Sequence, residues 1–385
     1  MRSVLIGLCA LIFVLWASPV VFAQGLDAMV KTQAQSVNTR QLDQEVSRLV
    51  AQYPQIQIPS AGTIASDLLH HKNPFNVPQL LNGLGSAVMG DLEVEGRVLG
   101  IIFVLSVLAA VLGRLTDSLG QGGVAEISRL AVLSLLILVA LHSFGVAITM
   151  VTNLIGELWH LMEAIIPLIV VLMAGSGAFA SAGIFHPLML LTVNVVAMLT
   201  RDWVLPLVLM ATIVELVGHW LPKFSLHYLG QLLRTTGLTL LGGLMTLFLG
   251  VMAVEGAAGS VADGVALRTG KFLANTFVPV VGKMFSDAME AVLGSSLLLK
   301  NAVSMVGALT IIVIVVFPLL KLFLMMFLYR MGAAATEPLN VGGVSATLGT
   351  MANAVGWLVA IAGAVALMFF LVVTVVASAS NGVIL

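Results

Sequence analysis

Charge is what this sequence has least of. Among 385 residues there are 17 Lys and Arg and 18 Asp and Glu, 9% of the chain, where a soluble domain carries roughly a quarter. A water-facing shell cannot be assembled from so few charges around a chain that is 59% apolar, so the bilayer has to act as solvent. The net charge of −1 and the lack of any long basic stretch exclude a nucleic-acid partner. Cysteine is nearly missing too. The one residue, Cys9, lies in the N-terminal apolar run, and once that run is removed the chain has no disulfide, thiolate metal site or cysteine nucleophile. No His-Glu-x-x-His or comparable cluster is present, so no metal is expected. Gly270-Lys271 resembles the end of a phosphate-binding loop, but Gly264 is one residue too distant and Phe272 stands where magnesium binding needs a hydroxyl. No cofactor is expected, and the chain reads as a non-enzyme.

What is present begins with a secretory signal. Arg2 precedes the apolar stretch 4–17, and Val21-Phe22-Ala23-Gln24 suits cleavage after Ala23, giving a signal peptide over 1–23. An uncleaved anchor helix is the competing reading, and the run is short for that. Residues 24–97 hold 12 of the charged side chains and form a polar, non-cytoplasmic region. Within it Leu42, Val46, Leu49, Val50 and Tyr53 recur at helical spacing until Pro54, and a second short helix is expected over 63–70. Such helices suit a membrane surface, a partner, or a small extramembrane cap.

Apolar windows follow at 98–113, 130–152, 237–254, 302–327 and 353–378. The uncharged stretch 164–200 exceeds one span of about 20 residues, and residues 183–187 offer a break, which predicts a helical hairpin. Residues 203–218 make a further short span. The fold class is therefore all-α, a polytopic membrane helix bundle of about eight spans, with six or seven as alternatives. It divides into transmembrane helices over 98–254, an atypical segment over 255–301 and two C-terminal helices over 302–385. A non-cytoplasmic 24–97 places Arg114, Arg129, Lys223, Arg234 and Arg330 in cytoplasmic loops and 153–163 outside. Small residues four apart, Ala174, Ala178 and Ala182, and again Gly356, Ala360 and Ala364, mark close helix packing.

Ionisable groups inside spans are costly and draw attention to function. Glu215, with His219 one turn later, suggests a proton relay, and Lys321 reads as a residue snorkelling from the end of its span. His142 and Asn194 are deeper polar groups suited to bonding a neighbouring helix. Ser176, in Ala174-Gly175-Ser176-Gly177 with His186 nearby, faintly resembles an intramembrane serine protease, although alanine replaces that family's first glycine.

The segment 260–301 is apolar yet sprinkled with charge. Ser286 is placed to cap a helix whose first turn carries Asp287 and Glu290, with Phe285, Met289, Val292, Leu293 and Leu297 on one face, an amphipathic or re-entrant element. Four strings within it, Thr276-Phe277-Val278-Pro279-Val280-Val281-Gly282, Ser286-Asp287-Ala288, Val292-Leu293-Gly294-Ser295 and Leu299-Lys300-Asn301-Ala302, closely resemble the stage III sporulation protein AE family. The order of features agrees along nearly the whole chain. The resemblance implies a multi-pass subunit of a secretion-like channel that bridges mother cell and forespore. Its implied partners are other stage III sporulation membrane proteins, a separate cytoplasmic ATPase and a forespore-side protein, and its implied location is the mother-cell membrane around the forespore. The residues expected to engage a partner or gate the complex are Lys271, Phe277, Pro279, Gly282, Lys283, Ser286, Asp287, Gly294, Lys300 and Asn301. A self-sufficient permease is the alternative function.

Overall fold

The computed structural model describes residues 40–51, 59–60, 63–64, 66–67, 100–101, 104, 107, 111, 122–220, 226–277, 281–339 and 343–379. Every regular element among them is helical: α1 (Arg40–Val50), α2 (Gly122–Gly175), α3 (Phe179–Leu199), a π-helical turn (Thr200–Val204), α4 (Leu205–Trp220), α5 (His227–Phe277), α6 (Val281–Thr336), a 3₁₀ turn (Glu337–Leu339) and α7 (Val344–Ala379). An all-helical chain is what lipid demands, because a helix satisfies its backbone N–H and C=O groups without water.

The helices are longer and fewer than the apolar windows suggest. Five among the described residues are long and apolar enough to cross a membrane: Ser134–Gly175, Ser181–His219, His227–Val254, Leu293–Thr336 and Val344–Ser378. The sequence reading reaches about eight by counting 98–113, by separating 203–218 from the helix before it, which here runs on as Ser181–His219, and by treating 153–163 as a loop. Here that stretch is helical, because Asn153, Glu157, His160 and Glu163 recur on one outward face while Leu154, Leu158, Leu161 and Met162 are buried. α2 therefore runs unbroken for 54 residues, roughly 80 Å at about 1.5 Å per residue. The window 98–113 falls outside the described residues except at isolated positions, and the signal peptide 1–23 lies wholly outside them.

The hairpin predicted within 164–200 turns earlier than at 183–187. It turns at Ser176–Gly177, where Gly177 has φ 87°, a left-handed conformation that side chains oppose. Ala178 N–H bonds the Met173 carbonyl at 3.0 Å and Gly177 N–H bonds the Ala174 carbonyl at 3.0 Å, the paired bonds of a Schellman helix end. Pro187 lies inside α3 instead. A proline ring crowds the carbonyl four residues earlier, which here is that of Gly183.

α7 is the central post, packed against α6 most extensively and also against α2, α3, α4 and α5. Gly356 on α7 admits Met326 of α6, whose sulfur would stand 3.1 Å from a Cβ there. The amphipathic α1 spends its apolar face on this bundle: Leu42, Val46 and Leu49 are buried, and the helix packs on α2 and α6. Segment 255–301 adds no separate body to the described structure, since α5 continues to Phe277 and α6 begins at Val281.

Candidate functional site

Among the described residues, polar groups meet between helices at two places that involve α7. The first joins α4, α5 and α7. Arg234 Nη1 on α5 lies 3.0 Å from Glu215 Oε1 on α4, with side chains 24% and 13% exposed. The oxygen has no partner at hydrogen-bonding geometry, so the contact is an ion pair without a well-directed hydrogen bond. Arg234 also stands over the Trp357 ring of α7, 5.8 Å from its centroid, within cation–π range. One turn beyond Glu215, His219 Nε2 and Thr350 Oγ1 of α7 are 3.0 Å apart. Gly230 makes this geometry possible, because a side chain there would collide with Glu215.

Glu215 and His219 thus share one polar end of the bundle, as their spacing suggests, but each has its own partner. Arg234 and Trp357 are the members that sequence reasoning misses. Arg234 reads as a loop charge, whereas it lies within the apolar window His227–Val254. The signal for it is the pair Gly230 and Gly237, two turns apart on α5, both of which face α4 closely.

The second place lies at the other end of α7. Lys300 on α6 is fully buried, and its Nζ donates a 2.7 Å hydrogen bond to the Ala377 carbonyl in the last turn of α7. Helix-terminal carbonyls lack an intrahelical donor and carry the negative end of the helix dipole, so a cation satisfies both needs. Ser295 and Ser296 are buried on the same helix. Asn301 and Ser304 line an open cleft of about 340 Å³ between α6 and α7. Trp357 and Ala377 stand on one helix about 30 Å apart at ~1.5 Å per residue, close to the depth of a bilayer core.

The other expected residues fall as follows. Gly294 is on α6 with open space around it. Lys271, Phe277, Gly282, Lys283, Ser286 and Asp287 lie on helical backbone, with side chains outside the described set, and Pro279 lies outside the described residues altogether. Lys321 is not at a helix end: α6 continues through Arg330 to Thr336, which places it mid-helix and half-buried. Ser176 is not poised for attack, since its hydroxyl donates to the Met173 carbonyl at 2.8 Å as part of the α2 terminus. Asn194 does bond a neighbouring helix, accepting from Trp159 Nε1 at 2.8 Å.

The family model described as stage III sporulation protein AE matches residues 60–380. A Bacillus subtilis (strain 168) protein named stage III sporulation protein AE is 32% identical over 359 residues, which cover 93% of this chain and 90% of that protein. No solved structure matches.

Proposed function

The chain belongs to the stage III sporulation protein AE family, and on that premise we propose that it is a non-enzymatic membrane subunit of a sporulation channel. In this reading it resides in the mother-cell membrane around the forespore and joins a secretion-like complex spanning the two membranes between the cells. Other stage III membrane proteins, a separate cytoplasmic ATPase and a forespore-side protein complete that complex, and the complex sustains late forespore development. The family match along a bundle of long apolar helices is the observation that carries the proposal. Fold and family resemblance alone are associational, so the test has to be cellular. Deleting the gene should arrest sporulation after engulfment, and a tagged chain should concentrate around the forespore. A deletion strain that forms mature spores, or a tag spread evenly over the mother-cell membrane, refutes the role.

A self-sufficient permease coupled through Glu215 is the rival. The pairing of Glu215 with Arg234 supports a structural use of that carboxylate. Purified chain in liposomes separates the two: solute movement by this protein alone, abolished by Glu215→Gln, would favour the permease.

A further inference from the structure

The π-helical turn carries chemistry that the rest of the bundle does not use. Leu205 N–H bonds the Thr200 carbonyl, five residues back, and the next residue, Pro206, has no N–H to offer Asp202. This wider turn sets Arg201 and Asp202 outward, both exposed, on a helical rod otherwise apolar enough to sit in lipid. Neither side chain forms an ion pair or hydrogen bond with a described residue. Turns of this kind often mark functional sites.

Beside them a cleft of about 350 Å³ opens between α2 and α3. Gly156 and Trp159 form its α2 wall, and Asn194, Met198, Arg201 and Asp202 form the other. The polar part of the wall is fixed in advance: Trp159 Nε1 donates to Asn194 Oδ1 at 2.8 Å, and Asn194 Nδ2 donates to the Leu190 carbonyl at 2.8 Å. Trp203, 57% exposed, follows the two charges.

A free guanidinium and a free carboxylate side by side select against ligands of one sign. An anion meets Asp202, and a cation meets Arg201. A zwitterion satisfies both. The planar donor fork of arginine suits a phosphodiester, a carboxylate accepts from a primary ammonium, and tryptophans gather where headgroups meet hydrocarbon. The volume falls within the usual range of small-ligand pockets. We propose that this cleft seats the headgroup of a phosphatidylethanolamine-type lipid, with the phosphate at Arg201, the ammonium at Asp202 and the acyl chains leaving along the apolar surface of α2 and α3. The site is independent of the sporulation role, because its occupant comes from the surrounding bilayer.

The test uses the full chain, equilibrated in nanodiscs holding equal phosphatidylethanolamine and phosphatidylglycerol, with retained lipid counted by native mass spectrometry. Phosphatidylethanolamine should be retained preferentially. Arg201→Gln should lower retention about tenfold, the loss of one charge-assisted hydrogen bond, and Asp202→Asn should erase the preference for the amine headgroup. Gly156→Leu keeps both charges but fills the cleft, and it should also lower retention. A Cβ at Gly156 meets nothing within 4 Å, so Gly156→Ala serves as the control that adds a side chain without filling the cleft. Equal or greater retention of phosphatidylglycerol by the unaltered chain overturns the proposal. Undiminished retention by Arg201→Gln and Gly156→Leu, or a preference that survives Asp202→Asn, does the same. A changed oligomeric state with unchanged lipid content would make the cleft a contact between copies of the chain and equally overturn it.

Discussion

Replacing Gly230 by alanine tests how the first polar cluster is held together. A Cβ at Gly230 would stand 2.6 Å from Glu215 Cγ and 3.3 Å from both Glu215 Oε1 and the Ala211 carbonyl oxygen. Cγ is near the root of the side chain, so Glu215 escapes only by changing rotamer, and the Ala211 carbonyl yields only if α4 and α5 separate. Overpacking of this kind costs ~1–3 kcal/mol, and the usual Gly→Ala gain in helix propensity returns at most about 0.5–1 kcal/mol. Gly230→Ala should therefore destabilise the chain by a net ~1–2 kcal/mol. Gly243→Ala on the same helix, where a Cβ meets nothing within 4 Å, should be neutral or stabilising. The assay is reversible denaturant unfolding of the purified chain in mixed micelles. Because the intruding methyl displaces Glu215, removing its partner should also matter less: Arg234→Gln should cost less in the Gly230→Ala background than alone, a coupling read from a double-mutant cycle. Equal stability of the two alanine variants, or strictly additive effects with Arg234→Gln, refutes this reasoning.

Three further outcomes follow from the packing. Lys300→Met, which keeps the side-chain volume but removes the donor to Ala377, should cost ~1.5–3 kcal/mol and speed hydrogen exchange in the last turn of α7; unchanged exchange there counts against the lock. Gly177→Ala should cost ~1–2 kcal/mol because φ is 87°, whereas Ser176→Ala should lose about 1 kcal/mol or less and leave spore yield intact; lost spores at normal protein abundance would revive the hydrolase reading. Leu42→Asp places a carboxylate where Leu42 is fully buried, and limited proteolysis should then cut within α1 faster than in the unaltered chain, with equal cutting rates showing that α1 is not anchored by that face.

The membrane class and the helical class were legible because each needs only composition and a run of apolar residues. The same method misplaced the joints. Residues 153–163 look like a loop when charge is counted, but Glu157, His160 and Glu163 share a face with Asn153, and the buried Leu158 and Leu161 between them show a helix that continues. Pro187 looks like a break, yet a proline can remain in a long packed helix, and the actual turn is set by Gly177 in a left-handed conformation. The candidate residues divided in a similar way. Glu215 stood out as a charge inside an apolar span, and Lys300 through the family resemblance of its segment. Their partners did not: Arg234 is marked only by the flanking Gly230 and Gly237, and nothing local marks the Ala377 carbonyl as a group that faces another helix.

By itself, then, the sequence determined that this chain is apolar enough for a membrane, what secondary structure it adopts and which family signature it carries, because burial in lipid and helical periodicity act over a few turns of chain. Tertiary structure alone decided which charges meet. Glu215, Arg234 and Trp357 come from three helices, and Lys300, on a fourth, reaches the end of α7 at a residue 77 positions later. Those meetings depend on how α4, α5, α6 and α7 pack side by side, and helix packing is set by the fit of whole faces that one-dimensional periodicity does not encode.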